Sequence, residues 1–110
     1  MPVATVDKVR ALAVDLGTQK RLAELLGVDR SRVTRWLRGE GIDELTAERI
    51  DQLEVVMAFA FRMMNPKTVE SWLEGRNPFL GDRRPIWFLR QGRFEEVLAA
   101  LRQQRAGSYA

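Results

Sequence analysis

Apolar residues recur at helical spacing along the chain, and glycine or proline interrupts them at short intervals. Near the amino terminus, Val6, Val9 and Leu16 share one face of a predicted helix, because residues three, four or seven positions apart lie on the same side of a helix. Thr5 is the expected N-cap and Gly17 the expected stop of this helix. The pattern therefore predicts a first helix between these two residues.

Two short helices are predicted next. Thr18 is expected to cap the run QKRLAELL, which extends to Gly27. Asp29 is expected to cap the run RSRVTRWLR, which extends to Gly39. Threonine and aspartate suit the N-cap because their side-chain oxygens accept bonds from the first helical N–H groups.

A long helix follows the loop GEGID. Thr46, with Glu48 in the first turn, is expected to open the helix AERIDQLEVVMAFAFRMM. The second half of this helix is apolar almost all round. Asn65 and Pro66 end it, because the residue before a proline disfavours the helical backbone, and they mark the best internal boundary.

Turns and short helices are predicted for the remaining residues. Pro66 suits the first turn of a helix that Gly75 closes. NPFLG is expected to form a turn, and Pro85 to start a second short helix. The inner stripe of a terminal helix is expected to comprise Phe94, Val97, Leu98 and Leu101. A small core is expected to contain Trp72, Leu80 and Leu89.

The predicted fold class is all-α, because no stretch shows the alternation of a half-buried strand. A chain of 110 residues makes one domain or two very small helical halves. We expect a helical bundle over residues 1–64 and a small helical module over residues 65–110.

Composition argues against catalysis by this chain. It has no histidine and no cysteine, so the usual general base at neutral pH, a thiolate and nitrogen or sulfur ligands for zinc are all missing. No catalytic residue, metal or cofactor is predicted. Asp7, Lys8 and Arg10 interrupt the apolar residues near the amino terminus, so we expect neither a signal peptide nor a membrane span, and a cytoplasmic protein.

The net charge is only +3, but positive charge is concentrated in residues 19–38. This segment holds six basic and two acidic side chains, whereas residues 1–64 as a whole balance at ten against ten. Its spacing also meets the needs of a helix-turn-helix. These needs are a small residue at the crossing, a left-handed turn residue and apolar seats for the second helix; they are met by Ala23, Gly27, Val33 and Trp36.

The segment resembles the Xre-type helix-turn-helix of bacterial repressors at Gln19 and at those four positions. The resemblance implies that Gln19 contacts phosphate and that Arg30, Ser31, Thr34 and Arg35 face base edges in the major groove. Neighbouring residues that we assign to the same DNA-binding face are Lys20, Arg32 and Arg38. The alternative is that these charges only solvate an exposed helix. Since each half-site offers few contacts, we expect a homodimer on palindromic operator DNA.

A second pattern follows Pro66. It resembles the toxin-binding domain of Xre/ParS/MbcA-type antitoxins, which show the order WL, NP, LG, P, L, and the matching positions are Trp72, Leu73, Asn77, Pro78, Leu80, Gly81, Pro85, Leu89, Gly92, Val97 and Leu101. Asp82 stands where a second glycine is common in that family. The two resemblances together span nearly the whole chain.

The resemblance implies an antitoxin of a type II toxin–antitoxin system. Its partner would be a RES-domain toxin that consumes NAD, and the antitoxin would also repress its own operon. The expected toxin contacts are Arg83, Arg84, Arg102, Arg105, Ser108 and Tyr109. We expect the tail to close the toxin's active site, the alternative being a frayed terminus without function.

Three other classes of function remain open from the sequence. A free-standing transcription factor would use residues 65–110 to dimerise or to sense a ligand. A small enzyme would need a carboxylate pair such as Glu95 and Glu96, but neighbouring residues on a helix point about 100° apart and cannot flank one atom. A scaffolding protein would not need Arg30, Thr34 and Arg35 on one face.

Overall fold

The computed structural model describes residues 4–107, and within them the fold is all-α, as predicted. Its seven α-helices are α1 (Thr5–Leu16), α2 (Gln19–Leu26), α3 (Arg30–Leu37), α4 (Glu44–Met63), α5 (Pro66–Glu74), α6 (Pro85–Arg90) and α7 (Phe94–Gly107). A single turn of 3-10 helix, Pro78–Leu80, lies between α5 and α6. None of the described helices is long and apolar enough to cross a membrane.

The chain divides into two compact units, Met1–Glu54 and Val55–Ala110, and the division falls inside α4. It lies ten residues before the boundary expected at Asn65 and Pro66. The part of α4 that follows this division includes the buried residues Val56, Met57 and Ala60. The assignment of separate functions to residues 1–64 and 65–110 stays a prediction.

In the first unit, α1, α2 and α3 pack against one another. Their apolar faces form the core together with the first half of α4, and its buried members include Val9, Leu12, Leu16, Leu22, Leu25, Leu26, Val33, Trp36, Ile50 and Leu53. Two polar contacts attach α4 to this core. Arg49 Nη2 donates to the carbonyl of Leu26 at 2.8 Å, which satisfies the open end of α2, and Lys8 Nζ lies 2.7 Å from Asp51 Oδ1.

In the second unit, α6 packs against both α5 and α7. Asn65 caps α5 by accepting from the N–H of Thr68 at 2.8 Å, and Pro66 occupies the first helical position, as expected. The indole N–H of Trp72 donates to Gln104 Oε1 at 2.6 Å and so joins α5 to α7. Leu80 and Leu89 are buried as predicted, but Trp72 is only half-buried.

The first residues and N-caps of the helices were predicted only in part from the local sequence. Thr18 caps α2 as predicted, since its Oγ1 accepts from the N–H of Arg21 at 3.0 Å. Thr5, however, is the first helical residue of α1, and Ala4 is its N-cap. The predicted start of α4 at Thr46 is also wrong: α4 begins at Glu44, and Asp43 accepts from the Thr46 N–H at 3.4 Å. Asp29 stands at the N-cap of α3 without a side-chain cap bond.

We expect Trp36→Ala to destabilise the protein by about 3–5 kcal/mol, as large-to-small changes at buried aromatic positions do. The indole is only 3% exposed, so its removal leaves a cavity between α1, α2 and α3. Urea unfolding measures the loss. Val14→Ala is the control: this apolar side chain on α1 is 74% exposed, and its loss is expected to change the free energy of unfolding by under about 0.5 kcal/mol.

Candidate nucleic-acid interface and aromatic surface

Helices α2 and α3 form the predicted helix-turn-helix. Ala23 is buried between them, and Gly27 adopts the left-handed backbone, with φ of 69°, that the turn requires. Val33 and Trp36 lie on the buried side of α3. Since both are fixed inward, the other sides of α3 are left for solvent or a partner.

Most of the predicted DNA-binding side chains, on α3 and in the first turn of α2, are exposed. Exposed residues of the set are Gln19, Lys20, Arg30, Ser31, Arg35 and Arg38, and half-buried ones are Arg32 and Thr34. Arg21 differs from the other basic residues of the segment. Its side chain is only 13% exposed and pairs with Glu24 at 3.0 Å, so it does not belong to the exposed basic face.

A hydrogen bond joins the beginning of α2 to the outward side of α3. Thr34 Oγ1 lies 3.0 Å from Gln19 Oε1 and 3.2 Å from the carbonyl of Arg30, and its single proton can serve either acceptor. When Thr34 donates to Gln19, the Gln19 amide nitrogen is turned away and left to donate elsewhere. The geometry gives Thr34 a positioning role on Gln19, beside the base contact that the resemblance implies.

Acidic residues after α3 restrain two of its arginines. Arg35 Nε lies 3.0 Å from Glu40 Oε2, and Arg32 Nη2 lies 4.0 Å from Asp43 Oδ1. The guanidinium of Arg32 also lies 5.4 Å from the centre of the Trp36 ring. Hydrogen bonds from Thr46 hold the pKa of Asp43 below its usual range. The bond from the Thr46 hydroxyl has the larger effect, and the bond from its backbone N–H the smaller. Asp43 is therefore charged at neutral pH beside Arg32.

A second surface, on the Val55–Ala110 unit, carries exposed aromatic rings between arginines. Trp87 is 37% exposed and Phe79 50% exposed. Arg83 lies 4.6 Å and Arg93 5.5 Å from the centre of the Trp87 ring. We call these four residues the aromatic–arginine surface; they line a cleft of about 420 Å³. Glu96 holds Arg93 with two contacts, of 2.6 and 2.7 Å.

A tight turn positions Arg83 beside Trp87. Gly81 and Asp82 both adopt a left-handed backbone, with φ of 64° and 67°, a conformation that glycine adopts more readily than aspartate. The carbonyl of Arg83 accepts from the N–H of Asn77 at 3.1 Å, which closes the turn. Asn77 is only 5% exposed, and its side chain accepts from the N–H of Phe79 at 2.9 Å.

Comparisons with known proteins agree with both halves of this description. Residues 6–58 match the helix-turn-helix family. The probable mycobacterial cidal antitoxin Rv3188 of Mycobacterium tuberculosis is 28% identical over 104 residues, which cover 94% of this chain and 87% of that protein. Residues 6–58 therefore carry a helix-turn-helix domain, and the chain as a whole is similar to an MbcA-type antitoxin. The resemblance seen in the sequence is thereby confirmed.

The fold also matches one chain of a solved toxin–antitoxin complex. One chain of the crystal structure of the M. tuberculosis MbcT–MbcA toxin–antitoxin complex matches with a TM-score of 0.77 and 21% identity, over 96% of this chain and 97% of that chain. At this identity the match concerns the fold. It covers the helix-turn-helix and the helical module alike.

The MbcA-type resemblance suggested toxin contacts that the structure distributes over different places. Arg83 belongs to the aromatic–arginine surface, whereas Arg105 lies 5.6 Å from the centre of the Phe59 ring, in a separate cleft. Arg84 and Arg102 are exposed. Ser108 and Tyr109 lie outside the described residues.

Sequence reasoning missed three members of the aromatic–arginine surface: Phe79, Trp87 and Arg93. The signal was present in the run PIWFLR, because Phe88 and Leu89 occupy the buried side of so short a helix. Trp87, immediately before them, then has to turn outward.

We expect Gly81→Ala to destabilise the protein by about 1 kcal/mol, because a side chain disfavours the left-handed backbone. A Cβ at Gly81 would meet no atom within 4 Å, so the change concerns the backbone alone. Gly41→Ala is the matched control: its Cβ also meets nothing and its φ is not left-handed. It should be neutral or stabilising by up to about 1 kcal/mol. Equal free energies of unfolding for the two variants would contradict this explanation of the turn.

Proposed function

We propose that this chain is the antitoxin of a type II toxin–antitoxin pair. The observation that carries the proposal is the combination, in one short chain, of a helix-turn-helix with an outward basic face and a helical module that matches antitoxins over nearly its full length. The first part would bind operator DNA and the second would bind and neutralise a toxin. No catalytic group is required of the antitoxin itself.

The DNA-binding part is supported by the side chains that α3 leaves exposed. Arginine can pair with O6 and N7 of guanine through two parallel bonds, and Arg30, Arg35 and Arg38 all lie on the exposed side. Gln19 and Lys20, in the first turn of α2, suit contacts to phosphate. Since one such helix makes few base contacts, we propose that a homodimer binds a palindromic operator and represses the antitoxin's own operon.

The toxin-binding part is supported by the aromatic–arginine surface. Tryptophan and arginine are enriched among the residues that dominate protein interfaces, and stacking on Trp87 limits the freedom that Arg83 would lose on binding. Arginines of this kind suit an acidic patch on the toxin. We propose a RES-domain toxin that consumes NAD, in keeping with the MbcA-type resemblance, with the other exposed arginines and the tail residues Ser108 and Tyr109 as further contacts.

We expect Arg30→Ala and Arg35→Ala each to weaken binding to a specific operator by about 1–3 kcal/mol, because each removes a guanine-pairing group. Fluorescence anisotropy with a duplex selected from a random library measures the affinity. Lys20→Ala should mainly lower the dependence of binding on salt, as loss of a phosphate contact does. Arg76→Ala, an exposed arginine in the other unit, is the control and should bind as wild type. Unchanged affinity in the Arg30/Arg35 double variant would exclude α3 as the recognition helix.

We expect Trp87→Ala to weaken the toxin complex by about 2 kcal/mol or more, the usual loss at a dominant interface residue. The test co-expresses the chain with the product of the adjacent reading frame and measures complex formation and toxin activity. Leu45→Ala removes an apolar side chain that is 67% exposed and is the control. DNA binding should be kept by both variants. An undiminished complex in the Arg83/Trp87 double alanine variant would move the toxin contact to Arg84, Arg102, Arg105 or the tail.

A further inference from the structure

An acidic residue is held at the carboxyl end of α3 by the backbone itself. Gly39 has a left-handed φ of 97°, and this turns the chain back over the last helical turn. The N–H of Gly39 then donates to the carbonyl of Trp36, and that of Glu40 to the carbonyl of Arg35, both at 3.1 Å. This pair of bonds is the Schellman motif. The backbone of Glu40 is therefore held next to the carbonyl of Arg35, independently of the Glu40 side chain.

The side chains of the two residues make an ion pair on the outward side of α3. Arg35 Nε lies 3.0 Å from Glu40 Oε2, and the two side chains are about half exposed, at 51% and 57%. Exposed ion pairs of this kind contribute little to folding stability. The pair therefore adds little to folding stability, and its main effect is on the position of the Arg35 side chain.

The ion pair constrains how Arg35 can meet a partner. Because Glu40 Oε2 lies against Nε of the guanidinium, the two terminal nitrogens remain as donors for another partner. These two nitrogens can pair with O6 and N7 of guanine. A phosphate approaching the Nε edge would instead meet the carboxylate of Glu40, which repels it. The pairing therefore favours one mode of contact and opposes another.

We propose that Glu40 is a specificity-determining residue of the DNA-binding face. It orients Arg35 for guanine and raises the free energy of complexes in which Arg35 faces only phosphate, so that random DNA is bound more weakly. Discrimination against the wrong partner by a repulsive charge is a general route to specificity. The inference rests on the proposed DNA-binding function and adds a residue to it.

The test compares two duplexes of equal length, one selected for tight binding to the wild-type protein and one with the same bases in scrambled order. Glu40→Gln keeps the shape of the side chain and removes its charge. We expect it to strengthen binding to the scrambled duplex by about 10-fold and to change binding to the selected duplex by less than about 3-fold. The ratio of the two affinities, measured by anisotropy at matched salt, should therefore fall.

Two controls separate orientation of Arg35 from a general effect of charge. Glu44→Gln removes another exposed carboxylate from the same region and should change both affinities by the same factor. In an Arg35→Ala background, Glu40→Gln should likewise leave the ratio unchanged, because the residue through which it acts is gone. A fall in the ratio that persists in this background would overturn the proposal.

The outcomes also distinguish this inference from the proposed function. An unchanged ratio for Glu40→Gln, in a protein whose wild type prefers the selected duplex, would overturn the role of Glu40 alone. Equal binding of the wild type to both duplexes would overturn specific DNA recognition and the role of Glu40 together. Thermal melts of each variant establish that the affinities compare folded proteins.

Discussion

The burial of Val33 and Trp36 on one side of α3 determines what the amino-terminal unit can present to a partner. Both side chains are almost completely removed from solvent, and burying them provides much of the free energy that seats α3 against α1 and α2. Because a helix is rigid over two turns, fixing this side inward fixes the opposite side outward. The packing of Val33 and Trp36 thus leaves other side chains of α3 exposed, namely Arg30, Ser31 and Arg35.

Side chains on that outward side are held in place by polar contacts. Thr34 connects to Gln19, Arg35 to Glu40 and Arg32 to Asp43. Each contact is partly exposed and contributes little to stability. Together they reduce the number of conformations that the long side chains must give up on binding. The loop after α3, which supplies both Glu40 and Asp43, therefore helps to position arginines of the proposed DNA-binding face.

The carboxyl-terminal unit follows the same principle in a shorter helix. In α6, which has only six residues, Phe88 and Leu89 occupy the buried side and Trp87 is left at the surface. The left-handed pair Gly81 and Asp82 returns the chain so that Arg83 stacks on this ring. Trp87 does not only fill the core, because part of its ring is exposed between two arginines. Tryptophan and arginine are both enriched in protein interfaces, so this surface suits a protein partner.

Periodicity and turn residues by themselves determined the all-α class, the order of the helices and the inward positions of Val33 and Trp36, because these depend on short-range spacing. They also indicated Thr18 as a cap and Pro66 and Pro85 as helix starts. The spacing did not reveal that Asp43 rather than Thr46 opens α4, since either residue could serve locally. Only the tertiary structure decided the pairing of Arg35 with Glu40, the bond of Trp72 to Gln104 and the stacking of Arg83 and Arg93 on Trp87. These contacts depend on how turns bring side chains together in space. The hydrophobic pattern along the chain does not specify those positions.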